Sequence, residues 1–152
     1  MKILVLCGPS GCGKSTWAKN YCEVNLNTVI VSSDGIREEL WGDESIQDNP
    51  RLVFELAYKR IHQYLAAGAD VIFDATNLTK KIRKNFIKSF TPTGAELICV
   101  YFHTSLEECK AAQLKRERKV PEEVIEKQFK KFSSPTADEG WKEIWNYNCP
   151  IE

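Results

Sequence analysis

A glycine-rich segment close to the start of the chain places the strongest constraint on its fold. Residues 8–16 are Gly-Pro-Ser-Gly-Cys-Gly-Lys-Ser-Thr, which fits G-x-x-x-x-G-K-[ST], and they directly follow the apolar run 3–7. A strand that turns through glycines into a helix points backbone N–H groups, and the positive end of the helix dipole, at a phosphate chain. The pattern therefore predicts a nucleotide site whose contacts are Gly8, Ser10, Gly11, Cys12, Gly13, Lys14, Ser15 and Thr16.

Two side chains of this segment carry the expected chemistry. Lys14 is expected to reach the β- and γ-phosphates of a nucleoside triphosphate and so to be catalytic, and the Ser15 hydroxyl is expected to bind Mg²⁺. No element of the sequence identifies the base, so the phosphate donor is ATP or GTP. Cys12 lies close to a helix N-terminus, which can make a thiol reactive, but a passive loop position is the expectation because reactive thiols are rare.

Composition and charge narrow the class of protein. The chain has 152 residues, which suits one domain over 1–152, and its net charge is zero. The chain as a whole is therefore not a polyanion binder, and any contact with nucleic acid must come from a local patch. Six cysteines without a C-x-x-C pair or a histidine cluster argue against zinc and disulfides.

The location expected from the sequence is cytoplasmic. No apolar run approaches the ~18 residues of a membrane span, and no signal peptide is recognisable. Unpaired thiols suit a reducing compartment. We therefore expect no membrane contact, and the sequence identifies no protein partner.

Four short β-rich runs alternate with helical patterns. The runs are continuously apolar, as is typical of strands buried on both faces of a parallel sheet, and they cover residues 2–7, 28–32, 69–73 and 96–102. We therefore predict an α/β fold with a central parallel sheet flanked by helices. Near the end, the composition of residues 133–140 indicates a loop. The i, i+4 spacing of Trp141 and Trp145 predicts a final helical turn.

Helical periodicity is clearest in four segments. Pro50 opens the first, and apolar residues at i, i+4 and i+8 mark a second over residues 82–90. Ser105 and the glutamates that follow it form a capping box that opens a third, and Pro121 opens a fourth. The apolar stripes on these helices indicate core packing rather than a ligand surface.

A carboxylate and a guanidinium follow the second predicted strand. Asp34 and Arg37 lie at its carboxyl end, where ligands bind in open α/β sheets. Phosphoryl transfer to a hydroxyl needs a carboxylate that takes its proton, which Asp34 can supply; capping of the following helix is an equally good interpretation. Arg37, one turn on, either grips an acceptor phosphate or lies in solvent.

Asp74 ends the third predicted apolar run. A strand that ends in Asp is typical of a Walker B element, in which Asp74 holds Mg²⁺ or one of its waters. Alternatively, Asp74 belongs to the acceptor side and orients Arg37. Helix capping is the weaker interpretation, because Thr79 is better placed for it.

Two basic clusters are hidden by the zero net charge. Charge runs on helices are usually solvated faces, but the second cluster follows the fourth strand, where nucleotide kinases carry a lid, here at about residues 105–120. One of its arginines would then be catalytic by stabilising charge on the transferring phosphoryl group. The first cluster contains Lys80, Lys81, Arg83, Lys84 and Lys88, and the second contains Lys110, Lys115, Arg116, Arg118 and Lys119.

Together these motifs resemble the kinase domain of polynucleotide 5′-kinases, which occur in phage and bacterial RNA-repair enzymes. The resemblance rests on residues 8–18, 32–37, 71–79 and 116–121 and runs from residue 1 to about 132. It implies a P-loop kinase fold with a helical lid, Asp34 as the general base for a 5′-hydroxyl, and Arg116 or Arg118 as the lid arginine. The acceptor-side and substrate-binding residues that it implies are Arg37, Asp74, Asn77 and Val120.

The resulting prediction is a polynucleotide 5′-hydroxyl kinase that uses Mg²⁺ and acts on a DNA or RNA end. Two departures from the family pattern matter: Gly35 stands where some members have a second acid, and the segment between Arg116 and Val120 is short, which leaves the lid arginine undecided. A P-loop kinase of a nucleoside, sugar or antibiotic is the first alternative. A nucleotide-dependent binding module without transfer activity is the second.

Overall fold

A parallel sheet forms the centre of the molecule. The computed structural model describes residues 1–44, 46–115 and 120–148, and within these ranges five strands pair in the order β2-β3-β1-β4-β5, all parallel. The four predicted strands are confirmed to within one residue at each end, and with them the α/β fold. The strands are Lys2–Cys7 (β1), Thr28–Ser32 (β2), Asp70–Asp74 (β3), Glu96–His103 (β4) and Glu143–Asn148 (β5).

Helices cover both faces of the sheet. They are Lys14–Val24 (α1), Ser33–Trp41 (α2), Pro50–Ala66 (α3), Lys80–Phe90 (α4), Leu106–Gln113 (α5) and Glu122–Lys131 (α6). The face of β1 that carries Ile3 and Val5 packs against α3 and α4, and the face that carries Leu4 and Leu6 packs against α1. Burial on both sides is why β1 is apolar throughout. Among the helices in the described ranges, none has the length and apolar character needed to cross a membrane.

Hydroxyl caps set where three of the helices begin. Ser32, Thr79 and Ser105 cap α2, α4 and α5, and each accepts a hydrogen bond from the backbone N–H three residues on. The helix start predicted at Ser105 is confirmed, but the reciprocal half of the capping box is not formed, because Glu108 Oε1 accepts from the Ser105 hydroxyl instead of the Ser105 N–H. The capping interpretations of Asp34 and Asp74 are wrong, because Ser32 and Thr79 occupy those positions.

The last strand replaces the helical turn predicted from Trp141 and Trp145. Residues 143–148 form β5, which pairs with β4. Its alternation places Trp145 and Tyr147 on one face, where ring centroids lie 6.4 Å from Tyr21 and 5.5 Å from Trp17. The prediction was wrong because the two tryptophans do not share a face: Trp141 precedes β5 and packs with the core under α3 and α4, whereas Trp145 packs on the side of α1. Aromatic residues also favour strands.

Arg83 is buried and does not contribute to an exposed basic cluster. Its side chain is fully buried and pairs with that of Glu139, with 2.8 Å between Nε and Oε1. Burial alone would lower the pKa of Arg83, but the hydrogen bond to Glu139 and the charges around the guanidinium together raise the pKa above its usual value. Glu139 comes from a short 3₁₀ turn, Ala137–Glu139, inside the predicted loop 133–140. The sequence hides this pair because its members are 56 positions apart.

We expect Phe86→Ala to lower the free energy of unfolding by about 3–5 kcal/mol, the usual cost of removing a buried aromatic ring. Phe86 is fully buried, and its ring contacts those of Tyr58, Phe73 and Phe90. Urea titration followed by circular dichroism measures the change. Leu26→Ala, at a residue that is 89% exposed, should change stability by less than about 0.5 kcal/mol. A Phe86→Ala variant as stable as the control would contradict the packing described.

Candidate active site

A large cleft opens at the carboxyl ends of the strands, where ligands bind in open α/β sheets. Its volume is about 1260 Å³, which exceeds the ~300–1,000 Å³ of most single-ligand pockets and suits two substrates side by side. The wall comes from the glycine-rich loop, α2, the segment after β3, α5 and α6. The predicted site residues that line it are Ser10, Gly11, Cys12, Gly13, Lys14, Ser15, Thr16, Asp34, Arg37, Asp74 and Val120.

The glycine-rich loop follows a backbone path that only glycine permits at three positions. Gly11 and Gly13 have φ angles of 86° and 92°, in the left-handed region that favours glycine. At Gly8, an added Cβ atom would lie 2.8 Å from Cys12 Sγ and 3.1 Å from Phe102 Cβ. The three glycines therefore let the loop curl tightly over the end of β1, as a phosphate cradle requires.

Lys14 is held within this loop. Its Nζ donates to the Pro9 carbonyl at 2.9 Å and lies 3.8 Å from Cys12 Sγ. The residue is only 8% exposed, yet it lines the cleft. A compact cation beside a ring of backbone N–H groups suits the oxygens of a phosphate chain.

Ser15 and Asp74 form a pair of oxygen ligands at the base of the cleft. Ser15 Oγ donates to Asp74 Oδ2 at 2.8 Å, and Asp74 is 8% exposed. A hydroxyl and a carboxylate are the hard ligands that Mg²⁺ uses together with substrate phosphates, so the donor set fits this ion. The contact favours the Walker B interpretation of Asp74. Across the described ranges, no group of three or more His, Cys, Asp or Glu side chains is arranged to hold a metal by protein ligands alone.

Asp34 and Arg37 face the cleft from the first turns of α2. Arg37 Nη1 donates to Asp34 Oδ1 at 3.0 Å. The Arg37 side chain is 11% exposed, whereas that of Asp34 is 56% exposed. Among the residues that the structure describes, the buried Nε of Arg37 has no hydrogen-bond partner. This wall therefore presents an accessible carboxylate next to a guanidinium with an unused donor.

Asn77 lies beneath the cleft and is not part of its lining, although the sequence predicted a substrate-binding residue. It is buried with a φ of 47°, and its Nδ2 donates to the Leu6 carbonyl at 2.7 Å. Close by, the Gly8 N–H donates to the Thr76 carbonyl at 3.0 Å. These bonds tie the end of β1 to the segment after β3. In a sequence, a side chain that fixes the backbone looks like one that binds substrate.

Helix α6 is bonded directly to the glycine-rich loop. The Ser10 N–H donates to Gln128 Oε1 at 2.7 Å, and Gln128 Nε2 donates to Ser10 Oγ at 2.9 Å. Sequence analysis missed Gln128, because no motif marks a glutamine on a helix surface. Val120, predicted to bind substrate, lines the cleft, whereas Arg116 and Arg118 lie outside the described residues.

Acids from other parts of the chain neutralise part of the two basic clusters. Lys110 Nζ lies 2.7 Å from Glu126, and Lys80 Nζ lies 3.1 Å from Asp138. The hydrogen bond from Lys110 lowers the pKa of Glu126. With Arg83 buried as well, the surface carries less uncompensated positive charge than the sequence suggested.

The sheet order, the glycine-rich loop after the central strand and the cleft above it define a P-loop kinase. The chain belongs to the AAA_33 family of AAA domains, which matches residues 3–135. The match covers most of the chain and ends just before the 3₁₀ turn that carries Glu139.

Two curated relatives are similar in sequence. An L-seryl-tRNA(Sec) kinase from Methanococcus maripaludis is 26% identical over 148 residues, which cover 91% of this chain and 55% of that protein. A bifunctional protein of Autographa californica nuclear polyhedrosis virus, named for polynucleotide kinase and RNA ligase, is 31% identical over 143 residues, covering 86% of this chain and 21% of that protein. The chain thus spans about half of one relative and a fifth of the other.

Solved structures share the fold. A gluconokinase from Sinorhizobium meliloti has a TM-score of 0.69 at 20% identity, covering 99% of this chain and 84% of that one. A chain of the Pnkp1/Rnl/Hen1 RNA repair complex has a TM-score of 0.76 at 24% identity, covering 86% and 43%. Family and fold together show that this chain has the P-loop kinase fold.

We expect Ser15→Ala to weaken nucleotide binding by about 10–100-fold when Mg²⁺ is present, because it removes a metal ligand and the hydrogen bond to Asp74. Isothermal titration with ATP or GTP, in Mg²⁺ and again in EDTA, measures the effect. The loss should disappear in EDTA. Ser89→Ala is the control, since that exposed hydroxyl bonds only to the Asn85 carbonyl of its own helix. An equal loss with and without Mg²⁺ would contradict the role of Ser15.

Proposed function

We propose that the protein is a polynucleotide 5′-hydroxyl kinase, which transfers the γ-phosphoryl group of ATP or GTP to the 5′-hydroxyl end of DNA or RNA. The observation that carries the proposal is the Asp34–Arg37 pair on the α2 wall of the cleft. A hydroxyl acceptor needs a carboxylate, and an acceptor with a phosphate beside that hydroxyl also needs a cation. The pair offers both within one helical turn.

Asp34 takes the proton of the acceptor hydroxyl in this proposal. Its carboxylate is more than half exposed, and the hydrogen bond from Arg37 fixes its orientation. The hydroxyl oxygen forms a bond to the γ-phosphorus as the bond from that phosphorus to the β–γ bridging oxygen breaks. The nucleoside diphosphate leaves with the electron pair of the broken bond.

Arg37 binds the phosphate one nucleotide in from the reacting end. A guanidinium can hold a phosphate through two parallel N–H···O bonds, and Arg37 lines the cleft beside Asp34, with which it shares one hydrogen bond. Because the side chain is nearly buried, water competes weakly for it. This contact would distinguish a polynucleotide end from a free nucleoside.

The donor side of the cleft stabilises charge on the phosphates. Lys14 and the N–H groups of the loop bind the β- and γ-phosphates, and Ser15 and Asp74 would hold Mg²⁺, which neutralises phosphate charge when bound. We also propose that Arg116 or Arg118 contacts the transferring group and that Val120 lies against the acceptor.

The sequence relatives support an acceptor carried on RNA. The viral relative is named for polynucleotide kinase and RNA ligase, and the archaeal relative for a kinase of seryl-tRNA. Both acceptors would be hydroxyls attached to a polynucleotide. Because this chain spans only part of each relative, the acceptor is a proposal here.

A small hydroxylated acceptor is the second candidate. Asp43, Glu44 and Gln47 line the same cleft. Carboxylates and amides bind the hydroxyl groups of a polyol, and the two carboxylates also repel the phosphates of a polynucleotide. The overall charge of zero also suits a small acceptor.

Transfer of labelled γ-phosphate tests the two candidates directly. The purified chain with Mg²⁺ and ATP or GTP is offered a 5′-hydroxyl RNA, a 5′-hydroxyl DNA, a nucleoside and a sugar acid. Labelling of the RNA or DNA supports the proposal. Labelling confined to the nucleoside or the sugar acid favours the second candidate and rejects the first.

We expect Asp34→Asn to lower the rate of transfer by about 10²–10⁴-fold, since it removes the proton acceptor and little else. Nucleotide affinity, measured by titration, should stay within about twofold, because the mutated group does not contact the donor. Glu23→Gln is the control, at an exposed residue of α1. Unchanged transfer by Asp34→Asn would exclude Asp34 as the base.

We expect Arg37→Ala to raise KM for a 5′-hydroxyl oligonucleotide by about 10–100-fold, the value of a hydrogen bond to a charged group. Steady-state kinetics with oligonucleotides of two and ten residues measures the change in KM. KM should rise equally for both lengths, because the contact lies next to the 5′ end. Arg51→Ala, at a side chain that is 88% exposed, is the control. A wild-type KM for the Arg37→Ala variant would show that Arg37 does not bind the acceptor phosphate.

A further inference from the structure

The pair formed by Arg83 and Glu139 is the most deeply buried ionic contact among the residues described. Both side chains are fully buried, and they meet through two bonds: Nε to Oε1 at 2.8 Å and Nη2 to Oε2 at 2.9 Å. The catalytic scheme above uses neither residue. The pair nevertheless lies next to the candidate active site, so its role has to be sought there.

Each member of the pair has further hydrogen bonds. Glu139 also accepts from Trp141 Nε1 at 3.0 Å and from the Thr136 N–H at 3.2 Å. Arg83 Nη2 also donates to Ser133 Oγ at 3.3 Å. Burial alone would raise the pKa of Glu139, but the bonds from Arg83 and Trp141 hold it below its usual value. The carboxylate therefore stays ionised at neutral pH.

The remaining arm of the guanidinium reaches the floor of the cleft. Arg83 Nη1 donates to the Asn77 carbonyl at 3.0 Å and lies 3.8 Å from Cys7 Sγ. Cys7 is the last residue of β1, and Asn77 has a φ of 47°, in the left-handed region that asparagine tolerates. The guanidinium thus joins the end of β1 to the segment after β3 at a turn of the backbone.

That segment carries functional groups immediately before the contact. Asp74, the partner of Ser15, precedes it by three positions, and Thr76, which lines the cleft, is its neighbour. The Thr76 carbonyl in turn accepts the Gly8 N–H of the glycine-rich loop. A shift of the Asn77 backbone would therefore be passed to the Mg²⁺ ligands and to the start of the phosphate cradle.

Stability alone is a weak reason for such a pair. The cost of removing two charges from water roughly cancels their attraction, and well-packed apolar residues of similar volume are often as stabilising or more so. What an apolar pair cannot do is donate a hydrogen bond to the Asn77 carbonyl. The role left for the pair is to fix the position of that carbonyl group.

We infer that Arg83 and Glu139 are positioning residues for phosphoryl transfer: Glu139 holds the guanidinium, and the guanidinium holds the Asn77 backbone so that Asp74 and the glycine-rich loop keep their reactive geometry. Glu139 lies beyond the family match at residues 3–135. The segment after the matched region is thus part of the working site. The inference needs only P-loop kinase chemistry and not the proposed polynucleotide acceptor.

The test is the double variant Arg83→Met with Glu139→Leu, which removes both charges at once. The variant should fold because no charge is left unpaired, with a melting temperature lowered by the loss of the bonds from Trp141 Nε1 and the Thr136 N–H. Its kcat for release of phosphate from ATP to water, with Mg²⁺, should fall by about 10–100-fold with KM for ATP within about threefold, since small misplacements of reacting groups cost that much. Hydrolysis is measured because it does not depend on which acceptor is correct.

A matched control is the exposed pair of Arg60 and Glu39, which also makes two bonds, of 3.1 and 2.6 Å. The same replacement there, Arg60→Met with Glu39→Leu, should leave kcat unchanged. A folded Arg83/Glu139 double variant with wild-type kcat would overturn the inference. If the double variant does not fold, the single variant Glu139→Gln is assayed at a temperature at which it is folded. A reduced kcat of Glu139→Gln supports the positioning role, and a wild-type kcat rejects that role.

Discussion

The central position of β1 in a parallel sheet determines where every functional group lies. β1 pairs with β3 on one side and with β4 on the other, so that Val5 is in register with both Phe73 and Cys99. The loop that follows β1 consequently opens between its neighbours. Since all strands are parallel, their carboxyl ends meet at one edge, and groups that are 59 positions apart, such as Ser15 and Asp74, come within hydrogen-bond distance. Burial of β1 on both faces is what holds this arrangement.

Much of the fold could be predicted because its strongest signals are local. A buried strand needs a continuous apolar run, and the glycine-rich loop needs its spacing, so β1 to β4 and the nucleotide side followed from short stretches of sequence. The edge strand β5 did not, because exposed residues such as Asn146 and Asn148 interrupt its apolar pattern. The spacing of Trp141 and Trp145 suggested a helical turn, although only Trp145 belongs to the strand.

The residues of the candidate site also fall into those that the sequence could place and those that it could not. Asp34, Arg37 and Asp74 could be placed because each follows a strand, and parallel strands bring such residues to one edge. Asn77 and Gln128 could not be placed, because their roles depend on which backbone atoms they meet in three dimensions. Charge is the least predictable quantity. The local count of lysines and arginines contains no information about a partner that arrives from a distant segment, as Glu126 does for Lys110.

The tight approach at Gly8 also decides the chemistry of the sulfur atom in the glycine-rich loop. Cys12 is 2% exposed, and its Sγ lies where a side chain at Gly8 would have to go. A peroxide or an alkylating reagent reacts with a thiol only when it can reach it. Although Cys12 lines the cleft, its burial leaves little of the residue within reach of such a reagent. The loop therefore holds a cysteine that is largely shielded from oxidation and alkylation.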